Sequence, residues 1–419
     1  MDKLSITRPT PAPAPAFRGW APRPEDMDRV DWSAAAAAGC PFARTMAGQT
    51  PAPAAVETKA ATVAPSASPT WTDGAGSDKP ITHWTPAADS TPAERAEFER
   101  GITELQNRLL DAGKVPHLDR GFHQKQTWGG KGHVVISDKL PQALRSDALK
   151  NAAGQEFTAA VRFSNGQGCP YMDALPDVRG MAVKMNINGQ QVDLLATNSI
   201  TFARDAAQFM RFAEVSGTKQ AEGGLKAAAD LSRKIAEEQY DGKEAARILA
   251  NLTKATSKPI AHPAAETYWT QPVQVGNMVG RFVFTPASGA NTHHGLIGEL
   301  TDHDYLRHNM ETDLENGPVK MHVGFEAFTD EAPIHDATVH GNHVTWNVGD
   351  IVLDPRSADG AARAREEHDV SMMAFNPSNG MKMAGTMNES NRGAIYQKSA
   401  ENRGAWTWDN PEVQSFFGH

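Results

Sequence analysis

Cysteine is nearly absent from this chain, with only Cys40 and Cys169 among 419 residues. Two cysteines cannot form the network of disulfide bonds that stabilises small secreted domains. Such a low cysteine content is typical of proteins in a reducing compartment. Long apolar runs are missing as well, since no stretch approaches the ~18 apolar residues of a membrane-spanning helix. The opening residues, Met1 to Pro9, contain no apolar core of the kind that directs secretion. We therefore expect a cytoplasmic protein.

An excess of positive charge is also missing. The formal net charge is −9 at pH 7, which argues against a general nucleic-acid-binding protein. With 40% hydrophobic residues, the chain is long enough for one large domain or two ordinary ones.

Apolar side chains are scarce before residue 85, where proline and alanine dominate residues 9–15 and 47–70. Such a composition buries too little apolar surface to offset the entropy of ordering. We therefore assign residues 1–85 to a disordered Pro/Ala-rich tail and residues 86–419 to one folded domain. Larger residues near Trp20 and Phe42 would either dock the tail to a partner or compartment, or be incidental.

Hydrophobic periodicity predicts helices and strands after the tail. Thr91-Pro92-Ala-Glu94 is typical of a helix start, and the pattern continues to Gly113. A helical insertion over 217–251 and a last helix over 386–403 are also expected. Seven runs resemble strands: His133–Ser137, Glu156–Ser164, Met181–Ile187, Val192–Ala196, Arg281–Thr285, Met321–Phe328 and Val344–Leu353. Seven or eight strands with helices to one side indicate an α+β fold, a closed antiparallel β-barrel with flanking helices.

Several unusual motifs follow one another between Asp119 and Asp205. Each alone is a weak signal, but their shared order and spacing make coincidence improbable. The motifs are Arg120-Gly-Phe-His123-Gln-Lys125, Val161-Arg162-Phe163-Ser164, Asp177-Val-Arg179-Gly180-Met-Ala-Val-Lys184 and Phe202-Ala-Arg204-Asp205-Ala-Ala-Gln-Phe209. Between the first and the second motif lies a glycine pair, Gly129-Gly130, which we interpret as a turn.

This order resembles that of the haem catalases, whose distal segment reads Arg-x-x-His-x-Lys and is followed by Arg-Phe-Ser, Asp-x-Arg-Gly-x-Ala-x-Lys and Arg-Asp-x-x-x-Phe. The resemblance covers about residues 86–419, and the short body is similar to the small, minicatalase-like peroxidase branch. It implies a haem b cofactor with iron and a peroxidase or catalase that reduces hydrogen peroxide or organic hydroperoxides through a ferryl intermediate. It further implies a small-molecule electron donor and a homo-oligomer.

The axial iron ligand of haem catalases is a tyrosinate. Among five tyrosines, Tyr396 alone lies in an arginine-flanked helical setting, with Arg392 one turn before it and Arg403 two turns after it. A nearby guanidinium favours the phenolate form that iron needs. The resemblance therefore assigns Tyr396 to the iron. Gly393, three residues earlier, is predicted to leave room for the porphyrin.

The resemblance assigns the distal chemistry to His123 as general acid–base. Ser164 would hydrogen-bond the outer nitrogen of His123 and set its tautomer. Asn198 would orient the peroxide, although the segment here is one residue shorter than in the family. Thr197 could therefore occupy the amide position instead.

Haem contacts follow from the same resemblance. Arg120, Arg162 and Arg403 would pair with the propionates, which need buried cations. Phe202 and Phe209 would pack on the porphyrin, with core packing as the competing interpretation. Phe122 replaces the family's valine before the distal histidine. If its ring enters the channel, it should favour peroxidase over catalase activity.

Two other functions fit the same residues less well. One is a lyase or isomerase of fatty-acid hydroperoxides, like the catalase-related allene oxide synthases, but these carry threonine where Phe122 stands. The other is a haem carrier or sensor, since Cys40-Pro41 resembles the Cys-Pro pair of haem-regulatory segments. The peroxidase is favoured by the retention of His123, the candidate Asn198 and the pair Tyr396 and Arg392.

Overall fold

The computed structural model of the chain describes residues 79–87, 90–210, 212–213, 242–256, 259–287, 301–355, 359–387 and 391–418. Residues 1–78 of the predicted tail, including Cys40, lie outside this set, as does most of the predicted helical insertion. Residues 79–85 lie against the barrel, because Ile81 and Trp84 pack on an apolar cluster that includes Phe328. Among the described residues, no helix combines the length and apolarity needed to cross a bilayer.

The first helix, α1 (Pro92–Asp111), begins at the predicted cap. Thr91 Oγ1 accepts from the Glu94 backbone N–H at 3.2 Å, and the Glu94 carboxylate accepts from the Thr91 N–H at 2.8 Å. This reciprocal pair satisfies backbone donors that a helix start otherwise leaves free. The buried stripe predicted from the sequence, including Phe98, Ile102 and Leu105, faces the body of the protein.

The predicted closed antiparallel barrel is confirmed, and it contains eight strands. All seven predicted runs are strands, several with extended ends. The strands along the chain are β1 (Gln126–Ile136), β2 (Glu156–Asn165), β3 (Arg179–Ile187), β4 (Gln190–Thr197), β5 (Tyr268–Thr270), β6 (Val273–Val275), β7 (Met278–Pro286), β8 (Val319–Phe328), β9 (His343–Leu353) and β10 (Lys382–Met383). The strand order around the barrel is β7-β5-β4-β3-β2-β1-β9-β8, and the β7–β8 pairing closes the barrel.

The interpretation of Gly129-Gly130 as a turn was wrong, because both glycines lie inside β1. They pair with Arg162 and Val161 of β2. A Cβ on Gly130 would stand 2.7 Å from the Trp128 ring, so the backbone here lies too close to its neighbours for a side chain. The glycine pair therefore marks close packing inside a strand and not a turn. Close approach of neighbouring groups is a common reason for glycine inside a strand.

Short strands were missed because they carry little periodicity. The eighth barrel strand, β5, spans only three residues, and β6 and β10 form an appendage on β7. A cluster of apolar side chains, including Phe163, Tyr268 and Phe325, fills the barrel interior. It forms the main core.

The remaining described helices surround the barrel. They are α2 (Gly242–Thr256), α3 (Tyr305–Asn316), α4 (Ala332–His335), α5 (Gly360–Met372), α6 (Asn391–Asn402) and α7 (Pro411–Phe417). The described part of the predicted insertion is α2, which continues to Thr256. The predicted last helix is α6, and α3, α4, α5 and α7 were not predicted.

Candidate functional site

A cavity lies between the outer face of β2–β4 and the helices α1 and α6. Side chains alternate along a strand, so each of these strands presents one set of residues inward and the other outward. On β2, Val161 and Phe163 belong to the barrel core, while Arg162 and Ser164 line the cavity. The motifs of the sequence thus meet on the outside of the barrel, where the alternation leaves Arg162 and Ser164 facing the cavity.

His123 lies at the cavity wall in a left-handed backbone conformation with φ 54°. This conformation is uncommon for a residue with a side chain. It is held by two hydrogen bonds, because the His123 N–H donates to Gly166 O at 2.9 Å and Arg162 donates to His123 O at 2.8 Å. The ring Nδ1 lies 3.1 Å from Ser164 Oγ, the predicted partner. Nε2 is the ring nitrogen left for a ligand.

The environment of His123 disfavours its charged form. Burial is the main cause, and the positive charges of Arg162, Arg392 and Arg120 add to it, so the pKa of His123 is lowered to about 3. At neutral pH the imidazole is therefore uncharged and available as a proton acceptor.

Gly180 is a contributor to this site that the sequence analysis did not single out. A Cβ at Gly180 would stand 2.5 Å from His123 Nδ1 and 2.8 Å from Ser164 Oγ. The motif Asp-x-Arg-Gly thus contains its glycine because the imidazole lies directly on the backbone of β3. A close-approach glycine in a strand is the signal that could have identified it.

Three arginines, Arg120, Arg162 and Arg403, line the cavity. Arg120 donates to Ser371 O at 2.7 Å, and Arg403 donates to Met373 O at 3.0 Å. These carbonyls lie at the C-terminal end of α5, where the helix dipole favours positive charge.

Their positive charges are poorly neutralised. Among the described residues, the one carboxylate that forms an ion pair with these three arginines is that of Asp119, whose Oδ1 lies 3.6 Å from Arg120 Nη1. Burial lowers the pKa of Arg162 well below its ordinary value, and repulsion from Arg120 and Arg403 lowers it further. Arg162 Nε is buried without a hydrogen-bond partner. Three guanidiniums against one carboxylate suit an anionic ligand, such as one with two carboxylates of its own.

Tyr396 and Arg392 line the same cavity from α6. Arg392 Nη2 lies 3.5 Å from the Tyr396 hydroxyl, and the guanidinium carbon lies 5.3 Å from the ring centroid. The helical spacing of four residues therefore brings the pair together as predicted. A Cβ on Gly393 would collide with Ser378 Oγ, so close packing against Ser378 explains this glycine.

Gln106 of α1 forms hydrogen bonds both to α6 and to the loop that contains Arg120 and His123. Its side-chain amide donates to Asp119 O at 2.7 Å and to Ser399 O at 3.2 Å, while its carbonyl accepts from Asn402 at 2.9 Å. Gln106 is buried. It fixes the tyrosine helix relative to the histidine loop, although no motif marked it in the sequence.

Asn198 and Thr197 occupy different environments. The Asn198 carboxamide accepts from the Arg179 N–H at 2.9 Å and donates to Ala255 O at 3.3 Å. Thr197, at the end of β4, lines the cavity, and its hydroxyl donates to Ser199 O at 2.9 Å. Of the two residues, Thr197 is therefore the one whose side chain borders the cavity.

Aromatic rings form part of the cavity wall. Phe202 and Phe209, both predicted to pack on a ligand, lie with Phe212 in one cluster, and the centroids of Phe202 and Phe212 are 4.5 Å apart. The Phe122 ring lies 5.5 Å from Phe209 and also packs on the apolar side chains of α1. Phe122 therefore lines the cavity and also packs in the apolar cluster beside α1.

Other charged motif residues are structural. Lys125 pairs with Asp173 at 2.7 Å, and Lys184 pairs with Asp193 at 2.7 Å, all four being buried. Asp177 is different, since it lines the cavity. Burial raises the pKa of Asp177 to about 6, against the opposing effects of Arg179 and backbone N–H donors.

No protein-family model and no curated protein matches this sequence. Solved structures match its fold. A fungal catalase matches with a TM-score of 0.56 at 17% identity, over 81% of this chain and 67% of the other. Catalase A from Saccharomyces cerevisiae matches with a TM-score of 0.52 at 18% identity, over 72% and 63%. A bacterial catalase matches with a TM-score of 0.53 at 17% identity, over 74% and 62%.

The chain thus spans only about two thirds of the length of these catalases. At such low identity the similarity establishes the fold alone. The fold is catalase-like, as the sequence motifs predicted.

Proposed function

We propose that this protein is a haem-dependent peroxidase or catalase that reduces hydrogen peroxide or organic hydroperoxides. One observation carries the proposal: Arg120, Arg162 and Arg403 lie with only one paired carboxylate on the wall of a cavity that also contains His123 and Tyr396. Burying uncompensated charge is costly, and a ligand with two carboxylates would remove that cost. Haem b has two propionates and needs an axial ligand besides.

The cavity residues fit haem b. The propionates would pair with Arg120, Arg162 and Arg403, while Tyr396 would bind the iron with its phenolate stabilised by Arg392. Phe202 and Phe209 supply apolar surface for the porphyrin. When bound, haem would supply the redox chemistry that splits the peroxide O–O bond.

His123 would handle the proton. Its imidazole is neutral, and with Nδ1 donating to Ser164 Oγ, Nε2 would carry the lone pair that accepts a proton. Nε2 would accept the proton from one peroxide oxygen and return it to the other, so that the second oxygen departs as water. A positioned histidine contributes on the order of 10²–10⁴-fold in this way.

Peroxide orientation is better assigned to Thr197 than to Asn198. The Asn198 carboxamide is engaged with backbone groups, whereas Thr197 borders the cavity with a hydroxyl that can still accept a hydrogen bond. Asn198 would then hold the end of β4 in register with Arg179.

The proposal extends to the reducing substrate and the assembly. The electrons would come from a small-molecule donor, and the chain would form a homo-oligomer in the cytoplasm. Residues 1–78 would dock the enzyme to a partner or compartment.

The test begins with the full chain loaded with haem b. We expect a high-spin ferric spectrum typical of phenolate ligation, oxygen release from hydrogen peroxide, and donor oxidation with hydrogen peroxide and cumene hydroperoxide. Tyr396→Phe should lose haem or change the spectrum, whereas Tyr171→Phe should change neither, because Tyr171 is not among the residues that line the cavity. An unaltered spectrum in Tyr396→Phe would contradict the assignment of Tyr396 as the iron ligand. Haem binding by wild type without any peroxide turnover would indicate a haem carrier and not an enzyme.

A further inference from the structure

Outside the cavity, Glu326, His340 and His343 bring three metal-ligating atoms within 4.8 Å of one another. In the part of the chain that the structure describes, this is the one such group of histidine, cysteine or acidic side chains. Glu326 is buried on β8, His343 begins β9, and His340 lies in the turn between α4 and β9. Two strands and a turn therefore meet at this cluster.

The distances suit a small divalent cation. His340 Nε2 lies 3.0 Å from Glu326 Oε2, and His343 Nε2 lies 3.7 Å from Glu326 Oε1. Bonds of ~2.0–2.1 Å to a tetrahedral zinc ion separate neighbouring ligand atoms by about 3.3 Å. The two observed separations, which run to different oxygens of the carboxylate, lie on either side of that value, and all three ligand atoms lie within 4.8 Å of one another. Side-chain rotations would bring the three atoms around one ion.

The hydrogen bonds around the cluster turn its ligand atoms inward. His343 Nδ1 lies 3.1 Å from Gly341 O, and because a carbonyl only accepts, Nδ1 must donate. In the neutral ring, Nε2 then presents a lone pair to the Glu326 carboxylate, and two acceptors that face each other repel. A cation between them removes this repulsion. Hydrogen bonds from the outer nitrogen of a histidine are the usual support of a metal ligand.

The carboxylate is also held in place. Trp269 Nε1 donates to Glu326 Oε1 at 3.0 Å. The indole therefore fixes the orientation of the carboxylate, and ligating carboxylates are commonly held by such hydrogen bonds.

The turn that carries both histidines is rigid. The Asn342 N–H donates to Asp330 Oδ2 at 2.9 Å, and Arg281 donates to His340 O at 3.2 Å. Gly341 has φ +74°, and a Cβ there would collide with Pro333. The ligands are thus preorganised, which lowers the entropic cost of binding.

We propose that Glu326, His340 and His343 form a binding site for a divalent cation of the zinc class. Two imidazoles and one carboxylate are a zinc ligand set, and a fourth position would be left for water. His340 has 42% of its side chain exposed, which gives the ion a route from solvent. Arg281 Nε lies 3.9 Å from Glu326 Oε2, and its charge weakens the site relative to the same ligands alone.

The site would act on the cavity wall through Trp269. This residue lines the cavity and donates to Glu326, so an ion that fixes the carboxylate also fixes the indole. The proposal itself does not depend on haem binding or on peroxide turnover.

The experiment titrates the metal-stripped full chain with Zn²⁺ by calorimetry and with Co²⁺ by absorption spectroscopy. We compare wild type with His340→Gln, His343→Gln and a matched control, His335→Gln. His335 contacts Glu331 at 3.1 Å on the surface in the same way, but with no second histidine. Melting temperatures without metal verify that the variants fold.

Wild type and His335→Gln should bind one Zn²⁺ with equal affinity and give the intense visible bands of tetrahedral Co²⁺. His340→Gln and His343→Gln should bind Zn²⁺ at least tenfold more weakly and lose those bands. Equal Zn²⁺ affinity in all four proteins, or no Zn²⁺ binding by wild type, would overturn the proposal.

Discussion

The imidazole of His123 lies directly on the backbone of Gly180, where a Cβ would stand 2.5 Å from Nδ1. Ser164 holds the same nitrogen through its hydroxyl at 3.1 Å. The ring is therefore positioned by a steric contact and a hydrogen bond from two adjacent strands. Its own backbone conformation, with φ 54°, adds a third constraint.

Gly180→Ala should displace this ring while leaving the rest of the cavity intact. A misplacement of about 1 Å at a catalytic group costs on the order of 10²-fold in rate. We expect the peroxide reaction rate of the haem-loaded protein to fall by that order, with haem content unchanged. Gly360→Ala is the control, because a Cβ there meets nothing within 4 Å. A Gly180→Ala rate equal to wild type would show that the contact does not position the imidazole.

The low pKa of His123 predicts a flat pH profile. Burial first, and then Arg162, Arg392 and Arg120, lower the pKa to about 3, so protonation occurs only at lower pH than in a free imidazole. The base form should therefore persist across pH 5–8. Stopped-flow measurement of the second-order reaction with hydrogen peroxide should show no decline through this range. A decline centred near pH 6.5, the ordinary histidine value, that persists in Asp177→Asn would contradict the assignment, because Asp177 lines the same cavity with a pKa of about 6.

The sequence allowed the barrel and the arginines of the cavity to be predicted, because both leave local signals. Strands of eight or more residues, such as β2 and β9, carry clear alternation and apolar content. Arg392 and Tyr396 could be paired from the sequence because residues four apart lie on the same face of a helix. The three-residue β5 has too little periodicity to be recognised, although it joins β4 to β7 in the barrel. Gly129-Gly130 was misread because glycine marks both turns and close packing.

Side-chain direction at the end of β4 could not be predicted. A one-residue difference in register exchanges the two faces of a strand. The family motif could therefore place either Thr197 or Asn198 at the cavity. The choice depends on the pairing of Thr197 with Gly180 and Trp269, and the sequence contains no record of that long-range pairing.

Substitutions at this pair should separate orientation from structure. Thr197→Val keeps the volume and removes the hydroxyl, so it should lower the peroxide rate with little change in melting temperature. Asn198→Ala leaves the Arg179 N–H and Ala255 O without partners, which costs about 1–3 kcal/mol of stability. Its rate per bound haem should change less. If Asn198→Ala is the more harmful to the rate, the notion that Thr197 orients peroxide is wrong.

Arg403→Gln should affect the haem-free and haem-loaded proteins in opposite directions. Removing one of three poorly neutralised guanidiniums relieves repulsion with Arg120 and Arg162, and glutamine can still donate to Met373 O. We therefore expect an unchanged or higher melting temperature without haem and weaker haem binding. Both are measured by thermal unfolding and haem titration at low salt. Lower stability of the haem-free protein together with unaltered haem affinity would exclude a propionate role for Arg403.

Phe122→Val should change the balance between catalase and peroxidase activity. The Phe122 ring lines the cavity and approaches Phe209 at 5.5 Å, so it occupies space that valine would leave open beside His123. Oxygen release requires a second hydrogen peroxide molecule to reach the reacting centre, whereas a larger donor can deliver electrons from further away. We expect Phe122→Val to raise oxygen release relative to donor oxidation.

The same ring also packs on α1, so part of any effect could come from a loosened core. Leu109→Val is the matched control, because Leu109 belongs to the same apolar cluster without lining the cavity. Both variants should lose some stability, since a buried side chain is shortened in each. Only Phe122→Val should shift the ratio of oxygen release to donor oxidation. An equal ratio in wild type and both variants would mean that Phe122 serves packing alone.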